Sequence, residues 1–466
     1  MEALPGRPEL ARLRDAMETA FTVEEVASLA RRTAQRKAVF GPLAPWLLKQ
    51  ACAQLAPLAA AEFNAWQRIG RLPRGDAHSA IALVAKTSSP TQPSDLRGIA
   101  VGALLAKLFA AGLERRVTAH AEAAGLHAEG QFGFRRQRST EQAALALRTV
   151  IECHRQQRQC GGSSTSSEQP QRRHTQRRRQ RGGSQLWAWF VDFKQYDRVP
   201  RAQLWQRLES MGYGGQWLRA VRELYADVPM SVTAPGLEGR VFSATQGLKQ
   251  GCPLSPTLFS LYIADWEERV LSAAAAGMPL ALPQLAGQPV PPLLYADDMA
   301  LLATTANGLQ QQLRLLEQYC AERGLTVNVV KTKVMLLSGA ADEQTAMQRV
   351  RRARHTFDGA PVAGVAAFKY LGIMPWAAQL QSALAEAGIA ADLQQRQPLQ
   401  PEAVQEAALQ HYLQHLQTAV QRRGASRLQH YFDCVRPECL EVAGYGMAPY
   451  LVERPPCMMG ACAGVR

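Results

Sequence analysis

Two apolar runs in this chain carry acids where a buried strand tolerates none. Leu293-Leu-Tyr-Ala-Asp-Asp-Met-Ala-Leu-Leu302 sets Asp297 and Asp298 between two apolar arms, the pattern of a β-hairpin. Leu186 to Val191 is apolar and aromatic throughout, reads as a buried strand, and runs straight into Asp192. A carboxylate in apolar surroundings is costly unless it is paired or bound to a cation. Acids at the ends of two buried strands can converge on one site. Three carboxylates without a neighbouring histidine or cysteine suit a hard, oxygen-seeking cation such as Mg²⁺, which shares its coordination with substrate phosphates. Two such ions can activate an attacking hydroxyl and stabilise a leaving phosphate oxygen. The competing reading is that each acid only caps a strand or bonds a turn. The recurrence of the arrangement in one basic chain weighs against it.

The charge balance points the same way. Lys+Arg number 53 and Asp+Glu 39 in 466 residues, for a net charge of +14. Such an excess fits a polyanionic partner, most simply nucleic acid. It is unevenly spread, because the segment Arg155 to Arg181 holds eight arginines against Glu168 and alone supplies half of it. Residues 156–185 are Gln, Arg, Ser and Gly with almost nothing to bury, so a disordered insert between two folded blocks is expected there. Its cluster Arg172 to Arg181 reads either as a nuclear-targeting or nucleic-acid patch or as a solvated loop. No run is long and apolar enough to span a membrane, and the N-terminus has no signal-like apolar core. The expectation is therefore an intracellular protein, nuclear or cytoplasmic and not secreted, with reduced thiols and no membrane partner.

Periodicity places the motifs on elements. Residues 9–70 read as helical, broken by Pro42, Pro45 and Pro57, and Ile81 to Ala85 as a strand. Helices follow at Ala103 to about Ala123, after Pro200 with Leu204, Leu208 and Met211 inward, and from an N-cap at Ser255 with Pro256 first in the helix. Leu309, Leu313, Leu316 and Cys320 mark another, closed by Gly324, and Val334 to Leu337 is a further strand.

The motifs and their order resemble those of reverse transcriptases, in particular the non-LTR (LINE-type) class. Tyr295-Ala-Asp-Asp298 resembles the active-site turn of that family. Gln131-Phe-Gly-Phe-Arg135 with Arg138-Ser-Thr140 resembles the fingers motif, and Phe190-Val-Asp-Phe-Lys194 with Tyr196-Asp197 the first palm motif. Gln246-Gly247 and Gln250-Gly-Cys-Pro-Leu-Ser-Pro256 resemble the second. Gly324-Leu-Thr-Val-Asn328 with Lys331-Thr332, then Phe368-Lys-Tyr-Leu-Gly-Ile373, resemble the two that follow the Asp-Asp turn, the last being the hairpin that grips the primer. All occur in the family's order over roughly residues 60–375.

The resemblance implies an α+β right-hand polymerase: fingers, palm and reduced thumb, with an antiparallel palm sheet packed on helices. It implies a helical extension at 1–59, fingers at 60–155, the insert at 156–185, the palm at 186–375, and a helical thumb with a cysteine-containing tail at 376–466. Its activity would be RNA-directed DNA synthesis from a primer 3′-hydroxyl, with RNA template and DNA primer as partners, deoxynucleoside triphosphates as substrates and two Mg²⁺ ions as cofactors. Carried over residue by residue, Asp192 and Asp297 bind both ions, Asp298 completes the triad and the carbonyl of Phe193 assists. Tyr196 lies under the incoming sugar as a steric gate. Gln250 and Gly251 shape the nucleotide pocket. Lys86 and Arg97 clamp the triphosphate, a task arginine can perform bidentately. Lys331 protonates departing pyrophosphate as a general acid. Taken alone, Lys86, Arg97 and Lys331 also read as solvated cations and Tyr196 as core packing.

The chain departs from the family pattern in places. The first palm motif is one residue short, because Gln195 is followed directly by Tyr196 where the family has an alanine between. A one-residue slip in a strand reverses the faces beyond it. The resemblance therefore also admits a remnant that keeps the fold, binds nucleic acid and turns over poorly. Gly98 stands where the family has proline after the arginine. The stretch before residue 60 is too short for the endonuclease domain many LINE-type proteins carry. Cys434, Cys439, Cys457 and Cys462 form two Cys-x4-Cys pairs. That spacing is loose for zinc and lacks a knuckle histidine, so unconnected thiols are expected.

Overall fold

The computed structural model describes residues 8–371 apart from 36, 161–184, 194–197, 227, 235–236, 286 and 341. One compact unit ends at Pro375; the expected thumb, its cysteine pairs and most of the expected insert lie outside the described residues. Seven strands organise the site: β1 (Ser79–Ala85), β2 (Leu96–Gly102), β3 (Leu186–Asp192), β4 (Pro229–Ala234), β5 (Leu293–Tyr295), β6 (Asp298–Ala303) and β7 (Lys333–Ser338). In one sheet the order is Ala363–Gly364, β7, β3, β6, β5. The pairs among β5, β6, β3 and β7 are antiparallel, as expected, while the short strand Ala363–Gly364 runs parallel to β7. A second sheet holds β2 antiparallel to β1 and β1 parallel to β4.

The first sheet is covered on both faces, which is why β3 reads as an unbroken apolar run rather than an alternating one. Trp187, Trp189 and Val191 point into the larger core with Met299, Leu301 and the Leu309, Leu313 and Leu316 row of helix Ala306–Arg323. The intervening Leu186, Ala188 and Phe190 join Ala300 and Leu302 in a smaller core under Leu147, Val150 and Ile151 of helix Thr140–Cys160. Strand side chains alternate with period two. Asp192 therefore falls on the face of Phe190, and so does Asp298, its register partner across the pair.

Several local features differ from the expectation. Pro57 does not end a helix but sits inside Cys52–Ile69, whose buried Ala56, Ala60, Phe63 and Trp66 anchor it. Phe21, Phe63 and Phe109 pack edge-on and tilted into one aromatic cluster, so the expected boundary at residue 60 falls within a continuous core. Helix Thr140–Cys160 likewise runs five residues into the expected insert. Ser255 is the first residue of helix Ser255–Tyr262 rather than its cap, and Leu254 is the N-cap. The Ser255 hydroxyl is committed elsewhere, donating to the Lys249 carbonyl at 2.7 Å and meeting the Tyr225 hydroxyl at 2.8 Å. No helix among the described residues is long and apolar enough to cross a membrane.

Candidate active site

The hairpin β5–β6 has a two-residue connection, Ala296-Asp297, between the paired residues Tyr295 and Asp298. Ala296 has φ +59° while Asp297 is not in the positive-φ region, so the first of the two turn residues takes a backbone conformation that favours glycine. Glycine is the usual occupant of that first position, and an L-residue there costs about 1–2 kcal/mol. Something must hold this turn in place. Gly130 to Phe132 lie alongside β5 as an extra parallel rung: Leu294 donates to the Gly130 carbonyl at 2.7 Å and Phe132 to the Leu294 carbonyl at 2.8 Å. Glu267, on helix Asp265–Ala275, accepts from the Glu129 and Gly130 amides at 3.1 and 2.7 Å. Arg135 closes the same loop through Glu122 at 2.7 Å and the Ala128 carbonyl at 2.8 Å.

Asp192 and Asp298 stand directly opposite each other on neighbouring strands. Residues so paired have Cβ atoms about 4.5–5.5 Å apart, and like charges there repel. Asp298 shows the consequence. Burial first, then the charges of Asp297 and Asp192, push its carboxyl up from the ordinary 3.8 to about 6. Asp297 is raised by burial and by Asp192, against the opposing pull of Arg97 and Lys331. The three acids thus share one field. Among the described residues, however, no three acid, histidine or cysteine side chains already form a ligating group, so the three carboxylates are neighbours that stop short of enclosing a common point. Oxygen-only donors under mutual repulsion fit divalent cations, which would relieve that repulsion. Asp192 and Asp298 open onto a cleft of about 420 Å³ lined also by Phe190, Lys331, Phe368 and Tyr370.

A pH-dependent stability follows. The folded chain binds the Asp298 proton more tightly than the unfolded chain does. That stabilisation is complete below about pH 4 and is lost as pH rises through about 6. Asp298→Asn should therefore stabilise the metal-free protein at pH 7. A tenfold difference in proton affinity is worth about 1.4 kcal/mol, and screening at this half-exposed group reduces the total to about 1–2 kcal/mol. The gain should vanish at pH 4. Chemical denaturation of both proteins in chelator at the two pH values measures it, and an equal difference at both would contradict the placement.

The other expected residues sort unevenly. Lys331 reaches Asp192 at 3.9 Å across exposed surface, an ion pair of small energetic worth. Arg97, exposed on β2, is close enough to influence Asp297, whereas Lys86 lies just past β1 with its amide bound to the Asp95 carbonyl at 2.7 Å. Gln250 ties its loop to β2 by accepting from the Ala100 amide at 2.8 Å. Gly251 has φ +100°, and a Cβ there would meet the Ala100 carbonyl oxygen at 2.8 Å, so only glycine suits it. Phe193 pairs with Val327 and is buried against Phe259. Tyr196 lies outside the described residues, and with it the one-residue shortening of the motif.

Two residues quoted for their motif turn out to hold Asp192 by its backbone. The amide of Asn328 donates to the Asp192 carbonyl at 2.7 Å, and the fully buried Thr332 hydroxyl accepts from the Asp192 amide at 3.3 Å. The sequence signal was the Asn328 to Thr332 motif itself, which carries no hint of what its polar groups bind. Phe368 stacks on Phe190 with centroids 4.4 Å apart, and Tyr370 is buried beside it.

Comparison with known proteins joins this geometry to a family. The sequence model of the family described as reverse transcriptase (RNA-dependent DNA polymerase) matches residues 84–374. The RNA-directed DNA polymerase from mobile element jockey of Drosophila funebris is 23% identical over 322 residues, which cover 67% of this chain and 30% of that protein. The Transposon TX1 uncharacterized 149 kDa protein of Xenopus laevis is 30% identical over 149 residues, 31% of this chain and 11% of that one. The Retrovirus-related Pol polyprotein from type-2 retrotransposable element R2DM of Drosophila melanogaster is 27% identical over 146 residues, covering 31% of this chain and 13% of the relative. The matched segment is thus less than a third of the length of each of these relatives.

Proposed function

The chain belongs to the reverse transcriptase (RNA-dependent DNA polymerase) family, with non-LTR retrotransposon proteins as its relatives, and from that premise we propose that it extends a DNA primer on an RNA template. The observation that carries the reading is the register pairing of Asp192 with Asp298 at the mouth of a cleft, with Asp297 in the turn beside them. In this reading β3, β5, β6 and β7 belong to the palm and the β1–β2 hairpin to the fingers. Asp192 and Asp297 would hold two divalent cations, Mg²⁺ by the hardness of the donor set, with Asp298 as third carboxylate and the Phe193 carbonyl assisting. Bound there, such ions would acidify the attacking 3′-hydroxyl and neutralise the leaving oxygen.

The chain's own side chains supply the rest. Arg97 faces the acids from the second sheet and is placed to draw the triphosphate toward them, with Lys86 further along the same hairpin. Lys331 stands at the cleft edge, where it can give a proton to departing pyrophosphate. Gln250 and Gly251 form a wall with β2 that a nucleotide can approach closely. Tyr196 remains the proposed steric gate. Phe368 and Tyr370 line the side of the cleft where a primer end would lie.

The test is extension of a DNA primer annealed to RNA with Mg²⁺ and deoxynucleoside triphosphates. Extension should require the RNA template, and binding of template and primer should weaken steeply as salt rises. The missing residue after Gln195 favours a second reading, a chain that binds nucleic acid but turns over slowly. Inserting alanine between Gln195 and Tyr196 separates the two. A gain of tenfold or more identifies the deletion as the lesion, and salt-sensitive binding without extension in either form defeats the polymerase reading.

A further inference from the structure

We propose that Gln131 is a positioning residue for the catalytic turn: its side-chain oxygen holds Ala296 in place and thereby aims Asp297 and Asp298. Gln131 is 1% exposed. Its Oε1 accepts from the Ala296 amide at 3.0 Å and from the Gly133 amide at 2.9 Å. Both partners are donors, so the atom facing them must be oxygen and the amide orientation is fixed by chemistry. Nε2 is buried with no hydrogen-bond partner among the described residues. An orphaned buried amide nitrogen costs about 1–3 kcal/mol. An apolar side chain would avoid that cost, so the glutamine is explained by what its oxygen does.

Ala296 is the residue that needs such help. It is an L-residue at φ +59°, 6% exposed, in a turn of only two residues. Its amide is buried, and Gln131 is the acceptor. The acceptor is itself rigidly mounted. Main-chain bonds fix Gly130 and Phe132 to Leu294, and Glu267 fixes Glu129 and Gly130. Helix Asp265–Ala275 is thereby connected through Glu267, the Gly130 backbone and Gln131 to the backbone beside Asp297. Loss of the oxygen leaves two buried amides unpaired and frees the turn to relax from its left-handed residue.

The catalytic consequence rests on the polymerase reading, but the mechanical one does not, and the experiment reads both. Hydrogen–deuterium exchange of the peptide spanning residues 293–303 is compared in wild type, Gln131→Leu and Gln131→Glu, with residues 79–85 of β1, in the second sheet, as internal reference. Gln131→Leu should speed exchange in the hairpin about tenfold or more and leave the reference unchanged. Gln131→Glu keeps an acceptor oxygen at the same reach and, despite the cost of a buried carboxyl group, should exchange clearly more slowly in the hairpin than Gln131→Leu. In primer extension, Gln131→Leu should lower kcat by about 10–100-fold, as expected for a small misplacement of reacting groups, with nucleotide KM and template–primer Kd unchanged. Hairpin exchange in Gln131→Leu equal to wild type, or in Gln131→Glu as fast as in Gln131→Leu, overturns the proposal. The expected exchange pattern in a wild-type chain that extends no primer would uphold the mechanical role of Gln131 and defeat the polymerase reading instead.

Discussion

Asp297→Asn is expected to lower primer extension by about a thousandfold or more while leaving the fold intact. A factor of that size corresponds to about 4 kcal/mol of transition-state stabilisation, which is reasonable for the proposed role of Asp297 in holding two divalent cations. The substitution changes charge and hardly changes shape. Asp297 lies in the turn, half-buried, facing Asp192 and drawn on by Arg97 and Lys331. Asparagine there removes one member of a mutually repelling set, so the metal-free protein should melt no lower than wild type. Single-turnover extension with saturating template–primer separates chemistry from binding, and a salt titration of binding should be superimposable on wild type. Extension within tenfold of wild type would mean that the carboxylate of residue 297 does not ligate, and the assignment of the site would have to move.

Much of the site is legible in the chain because burial and charge conflict there. Asp192, Asp297 and Asp298 stand out against apolar neighbours, and the structure places all three in one field. A period of two puts Asp192 on the face of Phe190 and Asp298 on the face of Ala300, and the observed pairing makes these one face of the sheet. What periodicity does not give is register, and only the observed pairing brings the two acids opposite each other. The supporting groups are less legible for a further reason. Gln131, Glu267, Asn328 and Thr332 act by bonding main-chain amides and carbonyls, and nothing in a residue's identity tells which distant backbone group it meets. Ser255 departs from its expected place on the same account: its tertiary bonds to Lys249 and Tyr225 override the local preference for a cap. The glycine of the motif Gln131 to Arg135 and its neighbour Gly130 are visible as residues, while the reason for them, backbone pressed against backbone, needs the fold.

That close approach yields a second large effect, at a residue that touches no substrate. A Cβ on Gly130 would lie 2.0 Å from the Pro292 carbonyl oxygen and 3.1 Å from Glu267 Oε2. The nearer neighbour is backbone, so no side-chain rotation relieves it. To reach even 3.0 Å, one of the two segments must withdraw by about 1 Å. Gly130 is not in the left-handed region, so the cost is contact rather than conformation. Gly130→Ala should destabilise the protein by about 1–3 kcal/mol, the usual range for overpacking a filled interior. The displacement has a defined route. It separates Gly130 from Leu294, displaces Gln131, and moves the turn that carries Asp297 and Asp298. Errors of about 1 Å in reacting groups cost on the order of 100-fold in rate. Gly130→Ala should therefore lose about that much kcat in the fraction that remains folded, below its melting point, with template–primer affinity preserved. Gly75→Ala is the matched control, because nothing lies within 4 Å of a Cβ at that helical position. It should be neutral or slightly stabilising. If Gly130→Ala matches the control in both melting temperature and kcat, the loop does not brace the turn, and the site's geometry must be held from the β3 side alone, through Asn328 and Thr332.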